Sequence, residues 1–378
     1  MDDHTLHASL IGQPGGRRAL NTPSLIVDLD ALTCNINRMA NYALAHRLTL
    51  RPHAKTHKSV EIATMQVEAG AAGVCCAKLG EAEAMAEGGV QSILITSPVV
   101  STPAIARLVA LNNRIADLRV VADNPANVDA LGLAASGPNR PLQALVDIDP
   151  GIHRTGVASP EAAVALARRI AATPSLIYLG VQYYCGQQQH IESYAARAAA
   201  IEDRNALLKT ILADLARAKL KPSVVTGGGT GTHRIDVAQG LFTEIQPGSY
   251  VFMDRQYGAC DLTAQGDAPF ETALFIDTGI ISANTPGLAT IDAGFKAMST
   301  DGGAPTIVSG APAGAAYTFM GDEHGLITAE GSIFQLGGRI TLAAPHCDAT
   351  VNLYDFFHVI RGDMLVDIWR VQGRGRSR

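Results

Sequence analysis

The chain has 378 residues, of which 47% are hydrophobic, and its formal net charge at pH 7 is −5. This charge argues against a nucleic-acid-binding protein, which would carry a basic face, and the apolar runs fall short of the ~18 residues of a membrane-spanning helix. The first residues lack a signal peptide's basic-then-apolar order, and the six cysteines show no CxxC or framework spacing, so we expect a soluble, cytoplasmic enzyme with reduced thiols.

An apolar strand at residues 24–30 and a helix to about residue 47 precede a long repeating pattern. From residue 50 onward, eight short β-branched runs alternate with segments of helical period, as in buried parallel strands separated by helices. Eight such units predict an α/β protein with a closed (β/α)8 TIM barrel. The runs cover residues 50–55, 73–78, 92–97, 118–123, 142–148, 178–184, 223–228 and 243–248.

Three of the intervening segments are clear helices. Residues 60–70 follow Ser59 and residues 160–172 follow Ser159, and serine is a favoured N-cap residue. Residues 191–220 form a longer, Ala-rich amphipathic segment. These segments are long enough to connect neighbouring parallel strands.

The pattern changes after about residue 256, where helical runs give way to short strands separated by Gly and Pro turns. This change predicts a smaller all-β domain at the C-terminal end. We place the barrel at residues 22–258 and the β-rich domain at residues 259–378, joined by residues 1–21.

Lys55 ends the first barrel run, where a TIM barrel carries its chemistry. Strand alternation puts Arg51, His53 and Lys55 on one side. Burial and basic neighbours would lower the pKa of Lys55 and free its amine for a Schiff base. The alternative is a rim lysine paired with a carboxylate, and Lys58 and Lys78 are weaker candidates for the same role.

Glycines follow the seventh and eighth runs, in TGGGTGT (226–232) and QPGSY (246–250). Glycines let backbone N–H groups approach a phosphate, and TIM barrels commonly bind phosphate at these two strand ends. A lysine amine and a phosphate site across one barrel mouth together predict pyridoxal 5′-phosphate (PLP) as cofactor.

Seven motifs distributed over nearly the whole chain resemble one family of PLP enzymes. The chain is similar to the alanine racemase-type (fold type III) enzymes, and within them to the D-threonine aldolase and D-serine dehydratase group. The motifs are PHAKTHK (52–58), DPGIHRTGV (149–157), GVQYYCGQQQH (180–190), GGGTGT (227–232), DAGFKAMSTDGG (292–303), GDEHG (321–325) and PHCDATVNLYD (345–355).

The resemblance implies roles for several cofactor-binding residues. Lys55 matches the Schiff-base lysine, and Arg154 matches an arginine near the cofactor's phenolic oxygen, with a helix-start salt bridge as the alternative. Tyr184 matches a ring placed against the pyridine face, although Tyr183 would serve if the strand register differs by one. The implied phosphate cradle consists of Gly228, Gly229, Thr230, Gly248, Ser249 and Tyr250.

One departure concerns Gln246. Alanine racemases have an arginine at this position, facing the pyridine nitrogen, whereas the aldolase and dehydratase group allows a neutral partner. Which group contacts the nitrogen is left open by the sequence.

His346 and Asp348 form a second set of candidate functional residues. Residues i and i+2 of an extended segment share a face, so this imidazole and carboxylate can bind one divalent cation. In the resembling group, Asp at the second position is typical of D-threonine aldolase and Cys of D-serine dehydratase. We expect Mn²⁺ first, with Mg²⁺ or Ca²⁺ as alternatives.

His190 matches a histidine placed near the substrate's β-hydroxyl in the aldolases, and an ordinary helix-start residue is the alternative. The resemblance thus implies a metal-dependent PLP lyase that cleaves D-3-hydroxy amino acids, such as D-threonine, to glycine and an aldehyde. The alternative is a D-3-hydroxyaspartate or D-serine dehydratase that releases ammonia and a 2-oxo acid. A homodimer is also implied.

Overall fold

The strands of the computed structural model, which describes residues 2–378, belong to one parallel sheet and one mixed sheet. The parallel sheet contains β2 to β9, and the mixed sheet contains the other strands. The strands are β1 (Ser24–Asp28), β2 (Thr49–Leu50), β3 (Val74–Cys76), β4 (Ser92–Ile95), β5 (Asp117–Ala122), β6 (Leu142–Ile148), β7 (Leu176–Tyr183), β8 (Val224–Gly227), β9 (Glu244–Ile245), β10 (Leu274–Thr285), β11 (Leu288–Ile291), β12 (Thr306–Ser309), β13 (Ala316–Phe319), β14 (Gly325–Thr328), β15 (Arg339–Ala343), β16 (Phe356–Arg361) and β17 (Met364–Arg370).

Helices connect the parallel strands, and further helices lie near the N-terminus and between β15 and β16. The predicted N-caps are present, since Ser59 Oγ accepts a hydrogen bond from Ile62 N at 3.4 Å and Ser159 Oγ accepts one from Ala162 N at 3.2 Å. The helices are α1 (Asp3–His7), α2 (Leu29–Ala45), α3 (Val60–Glu68), α4 (Leu79–Glu87), α5 (Thr102–Arg114), α6 (Pro125–Ala134), α7 (Pro160–Ala172), α8 (Tyr194–Arg217), α9 (His233–Gln239), α10 (Arg255–Gly258) and α11 (Cys347–Val351).

The eight parallel strands form the predicted barrel. Their order is β2-β9-β8-β7-β6-β5-β4-β3, and an isolated parallel bridge between His53 and Cys75 joins the two ends. Ala54 N donates to Cys75 O at 2.7 Å in this bridge. The barrel's C-terminal mouth is therefore formed by the segments that follow these strands, where the predicted PLP residues lie.

A buried ionic network fills part of the barrel interior. Glu244, which is 2% exposed, accepts hydrogen bonds from Arg51 Nε at 3.0 Å and Arg119 Nη1 at 3.4 Å. Its other oxygen accepts a hydrogen bond from Thr226 Oγ1 at 2.8 Å. These contacts tie together strands β5, β8 and β9 and the segment after β2.

The mixed sheet includes the first strand of the chain. β1 pairs antiparallel with β10 and parallel with β16. The N-terminal segment also packs on this sheet, where Arg17 Nε donates to Asp277 Oδ2 at 2.8 Å. We expected residues 1–21 to join the β-rich domain. Strand β1 also belongs to the mixed sheet of that domain, so the strands of the barrel begin after Asp28.

The C-terminal residues after β17 return to the barrel mouth. Gly373 N donates to Lys58 O at 2.9 Å, and Gln372 Oε1 accepts a hydrogen bond from Val60 N at 3.0 Å. This segment therefore packs against the chain that links Lys55 to α3. None of the helices within residues 2–378 has both the length and the apolar character needed to cross a membrane.

Candidate active site

A cavity of about 540 Å³ occupies the C-terminal mouth of the barrel. Its wall is formed by residues that follow several parallel strands, together with Tyr257 from α10. Such a volume is typical of a small-molecule site. The predicted site residues that line it are Lys55, Arg154, Tyr184, Gly229, Thr230, Gly248 and Ser249.

Lys55 lies in a turn beyond β2 instead of at the end of the predicted strand. Its Nζ donates to Asp348 Oδ2, so the two residues form a direct ion pair between the barrel and the β-rich domain. Burial alone would lower the pKa of Lys55, but the negative charge of Asp348 outweighs it and raises that pKa. The expectation of a lowered pKa is therefore wrong for this structure.

The competing lysines occupy different environments. Lys58 is buried, and its Nζ donates to Glu81 Oε1 at 2.7 Å, away from the cavity lining. Lys78 is exposed at the start of α4 and does line the cavity. Lys55 and Lys78 are thus the two lysines whose side chains reach this cavity.

The predicted phosphate cradle brings two loops together. Thr230 Oγ1, from the loop after β8, accepts a hydrogen bond from Tyr250 N, in the loop after β9, at 3.0 Å. A Cβ at Gly229 would lie 2.5 Å from Oε1 of Gln189, which is buried and accepts a hydrogen bond from Gly231 N at 3.0 Å, so a larger residue would displace this contact. The neighbouring Thr56 lines the cavity, and its hydroxyl is buried without a hydrogen-bond partner in residues 2–378. Backbone loops and a spare hydroxyl fit a bound phosphate.

Two members of the predicted cradle lie behind this surface. The phenol of Tyr250 is fully buried and accepts a hydrogen bond from Gln66 Nε2 at 3.1 Å. Gly228 has φ of +69° and packs over Asp236, whose carboxyl oxygen would lie 2.4 Å from an added Cβ. Their contribution is to hold the two loops in place.

Tyr184 and Tyr183 point to opposite sides of the barrel wall. Tyr183 is 1% exposed, and its hydroxyl donates to Arg204 O of α8 at 2.6 Å. Tyr184 lines the cavity, with the guanidinium carbon of Arg154 5.3 Å from its ring centroid. Of the two tyrosines, Tyr184 is thus the one that lines the cavity, and Arg154 forms a cation–π contact with it in place of a helix-start salt bridge.

Gln246 lines the cavity with a fixed amide orientation. Thr226 Oγ1 donates its hydrogen to Glu244, so its 2.9 Å contact with Gln246 must have Gln246 Nε2 as the donor. Gln182 Nε2 donates to Asp147 Oδ1 at 2.8 Å, which leaves Gln182 Oε1 as a second acceptor for Gln246 at 3.5 Å. Of the two polar atoms of the Gln246 amide, the carbonyl oxygen is therefore the one available to a ligand in the cavity.

The prediction that His346 and Asp348 lie on one extended segment is wrong. His346 has extended backbone angles, φ −143° and ψ 119°, but it is the N-cap residue of α11, and Asp348 lies in the helix. The side-chain alternation argument therefore does not apply beyond His346. The two are nevertheless electrostatic neighbours, since burial raises the pKa of Asp348 but the charges of Lys55 and His346 lower it overall.

The donor set around His346 is compatible with a divalent cation. His346 Nδ1 contacts Asp301 Oδ2 at 2.7 Å, which leaves Nε2 for a ligand, and such carboxylate–histidine pairs commonly support metal-binding histidines. Asp348 supplies a carboxylate, which suits Mn²⁺, Mg²⁺ or Ca²⁺. No cluster of three or more His, Cys, Asp or Glu ligands occurs in residues 2–378, so water and substrate would complete the coordination.

His190 lies beside the cavity, with its ring centroid 4.4 Å from that of Tyr257. Partial burial of the ring lowers the pKa of His190, although Asp254 opposes this effect. This shift favours the neutral imidazole, which can accept a proton.

The sequence reasoning missed Asp301 and Tyr257. Asp301 lies within the quoted DAGFKAMSTDGG motif, so its carboxylate was visible, but its contact with His346 depends on the folded second domain. Tyr257 follows the cradle by a few residues and lines the cavity. His53, left without a role by the sequence, also lines it and contacts Thr96 Oγ1 at 3.1 Å.

Two family models match successive parts of the chain. The alanine racemase N-terminal domain matches residues 27–256, and a putative serine dehydratase domain matches residues 273–360. The chain therefore belongs to the alanine racemase-type family, in the D-threonine aldolase and D-serine dehydratase-like group.

Particular relatives share nearly the full length of the chain. It is 38% identical to a 3-hydroxy-D-aspartate aldolase from Paracoccus denitrificans (95% of this chain, 93% of the relative). It is 36% identical to a D-threonine aldolase from Arthrobacter (97% and 96%). The structure of a D-threonine aldolase from Filomicrobium marinum is similar, with a TM-score of 0.91 and 34% identity over 96% of this chain and 97% of that one. A D-threo-3-hydroxyaspartate dehydratase from Delftia is less similar, at 28% identity over 93% of this chain and 97% of the relative.

Proposed function

We propose that this protein is a PLP- and divalent-metal-dependent aldolase that cleaves D-3-hydroxy amino acids to glycine and an aldehyde. The observation that carries the proposal is the contact between Lys55 and Asp348 at the cavity wall. It brings the amine that we assign to the cofactor next to the pair of side chains that we assign to the metal, so that the α-amino group and the β-hydroxyl of one small substrate could be bound together. The relatives named aldolases are also more similar to this chain than the dehydratase is.

The barrel residues are proposed to hold the cofactor. Lys55 Nζ would attach covalently to its aldehyde, Gly229, Thr230 and Ser249 would surround its phosphate, and Tyr184 would lie against its ring. When bound, PLP supplies an electron sink for the carbon–carbon bond that breaks. The Gln246 carbonyl oxygen is an acceptor, so it suits a protonated ring nitrogen.

The second domain is proposed to hold the metal. His346 Nε2 and an Asp348 oxygen would be its protein ligands, and the cation would lower the pKa of the substrate's hydroxyl. Neutral His190 is the residue we assign to accept the hydroxyl proton. Asp348 Oδ2 accepts from Lys55 and Asp348 Oδ1 accepts from Ser249 Oγ at 3.3 Å, so a cation at either oxygen would compete with one of these two contacts. Mn²⁺ is our first choice of metal.

The test is product identification with purified protein, PLP and Mn²⁺, with an EDTA-treated control. D-threonine and D-3-hydroxyaspartate are each supplied, and the nitrogen-containing product is identified. Metal-dependent glycine supports the proposal. Ammonia with a 2-oxo acid would instead make the protein a dehydratase.

Two variants locate the metal site. Asp348→Ala should abolish metal-dependent turnover while PLP remains bound, because the carboxylate ligand is lost. Asp355→Ala removes a carboxylate of the same motif that pairs with Arg374 at the surface, and it should retain activity. Full activity of metal-free protein would refute the metal proposal. The homodimer and the cytoplasmic location stay predictions.

A further inference from the structure

A second cavity, of about 410 Å³, lies next to the catalytic one. His190 and Asp301 line it, and the ring of His190 contacts the ring of Tyr257, which lines the cavity at the barrel mouth. None of the roles assigned above uses the rest of its wall. It is therefore the space into which a substrate can extend beyond the reacting atoms.

Arg255 is the one permanently cationic residue in the lining of this cavity. Its Nη2 donates to Gly302 O at 2.6 Å, and its backbone N donates to Ala344 O at 3.1 Å. Within residues 2–378 no carboxylate forms an ion pair with its guanidinium. The remaining N–H groups are thus available for an anionic ligand, for which a guanidinium is well suited.

A chain of contacts relates Arg255 to the reaction centre. Lys55 contacts Asp348, which lies two residues after His346 in the chain. His346 contacts Asp301, and the next residue, Gly302, accepts the hydrogen bond from Arg255. A substrate with its amino group at Lys55 and its β-hydroxyl near His346 has one group left on Cβ. The cavity lined by His190 and Arg255 is the space that can receive it, because Asp301, which contacts His346, lies in its wall.

The two acidic residues of the lining do not neutralise Arg255. Asp301 is bound to His346, and Glu192 is exposed at the rim. A carboxylate that entered this cavity away from Arg255 would be repelled by both. The favourable position for an acidic group is therefore at the guanidinium.

We propose that Arg255 binds the β-carboxylate of the substrate, so that the protein prefers D-3-hydroxyaspartate-type dicarboxylic substrates to D-threonine-type neutral ones. This proposal rests on the proposed aldolase function and specifies its substrate class. The loss of hydrogen bonds to a charged group commonly costs one to two orders of magnitude in affinity.

The experiment compares Arg255→Gln and Arg255→Lys with the wild type, all loaded with PLP and Mn²⁺. We expect the ratio of kcat/KM for D-3-hydroxyaspartate over D-threonine to fall about 100-fold in Arg255→Gln, mainly through KM. Arg255→Lys keeps the charge and should recover part of the ratio. An unchanged ratio, or an equal loss on both substrates, would overturn the role of Arg255.

A binding measurement separates this proposal from the aldolase function. D-aspartate and D-2-aminobutyrate are the deoxy analogues of the two substrates and have no hydroxyl to release. Titrated spectroscopically against the PLP form, D-aspartate should bind about 100-fold more weakly to Arg255→Gln, with little change for D-2-aminobutyrate. Equal weakening of both analogues contradicts the proposal. Glycine formation from neither substrate by the wild type would refute the aldolase function, whatever the titration gives.

Discussion

Replacing Glu244 with glutamine should destabilise the barrel, because it removes the charge that balances two arginines in the interior. Arg51 is 1% exposed and Glu244 is 2% exposed, so neither group can recover its hydration. Glutamine keeps one acceptor oxygen and replaces the other by an NH2 group, which must face either the arginine N–H groups or the Thr226 hydroxyl that donates to Glu244. Thr226 loses its charged acceptor at the same time.

The size of the effect follows from the burial. Removing one partner of a buried ion pair costs about 3–5 kcal/mol. Asp117 still lies 3.7 Å from Arg51 and 3.0 Å from Arg119, so we expect the lower end, about 3 kcal/mol. For a domain of this size that corresponds to a melting temperature lower by roughly 6–12 °C.

Thermal unfolding followed by circular dichroism measures this change. The matched control is Glu271→Gln, which breaks the Arg38–Glu271 pair, whose side chains are 46% and 50% exposed. Exposed pairs contribute little, so the control should shift the melting temperature by about 2 °C or less. Similar shifts in both variants would refute the reasoning that burial makes the Glu244 pair costly to break.

Three further predictions concern the cofactor site. Lys55→Ala should abolish the visible absorbance of bound PLP, whereas Lys78→Ala should retain it; the opposite pattern would assign the cofactor to Lys78. Gly229→Ala should weaken PLP binding about tenfold or more, because its Cβ would lie 2.5 Å from Gln189 Oε1. Gly258→Ala is the control and should not weaken binding, because the space around Gly258 is open. Equal PLP affinities of the two variants by titration would contradict this prediction. Burial raises the pKa of Asp236 from 3.8 to about 7, although a hydrogen bond from Thr232 opposes it. The folded state therefore keeps a proton that the unfolded chain releases, and the free energy of unfolding should fall by up to about 4 kcal/mol as pH rises from about 4 to 7. In denaturant unfolding, Asp236→Asn should lack this pH dependence. An equal pH dependence in the variant and the wild type would refute the prediction.

The barrel could be predicted because its strands are local apolar patterns. The predicted run 142–148 coincides with β6, whereas the run 50–55 shrinks to β2, Thr49–Leu50. Pro52 has no N–H for a ladder, and the chain turns before Lys55. Strand ends near a proline are thus harder to place than the strands themselves.

Seven of the predicted site residues line one cavity, but their electrostatic environment could not be predicted from the sequence. Lys55 was expected among basic neighbours, yet the residue that controls its charge is Asp348, from the other domain. Likewise, the choice between Tyr183 and Tyr184 depends on a strand register that one residue reverses. Contacts between distant parts of a chain are outside the reach of local patterns.

The position of residues 371–373 against the Lys55 turn has a consequence for synthesis on the ribosome. Residues up to 258 leave the ribosome first, and at 5–20 residues per second the rest of the chain follows over roughly 10 s. During that interval the nascent barrel lacks Asp348, lacks the C-terminal residues that brace the turn, and leaves β1 without its partners β10 and β16. Completion of the active site is therefore a late event, which follows the synthesis of the β-rich domain.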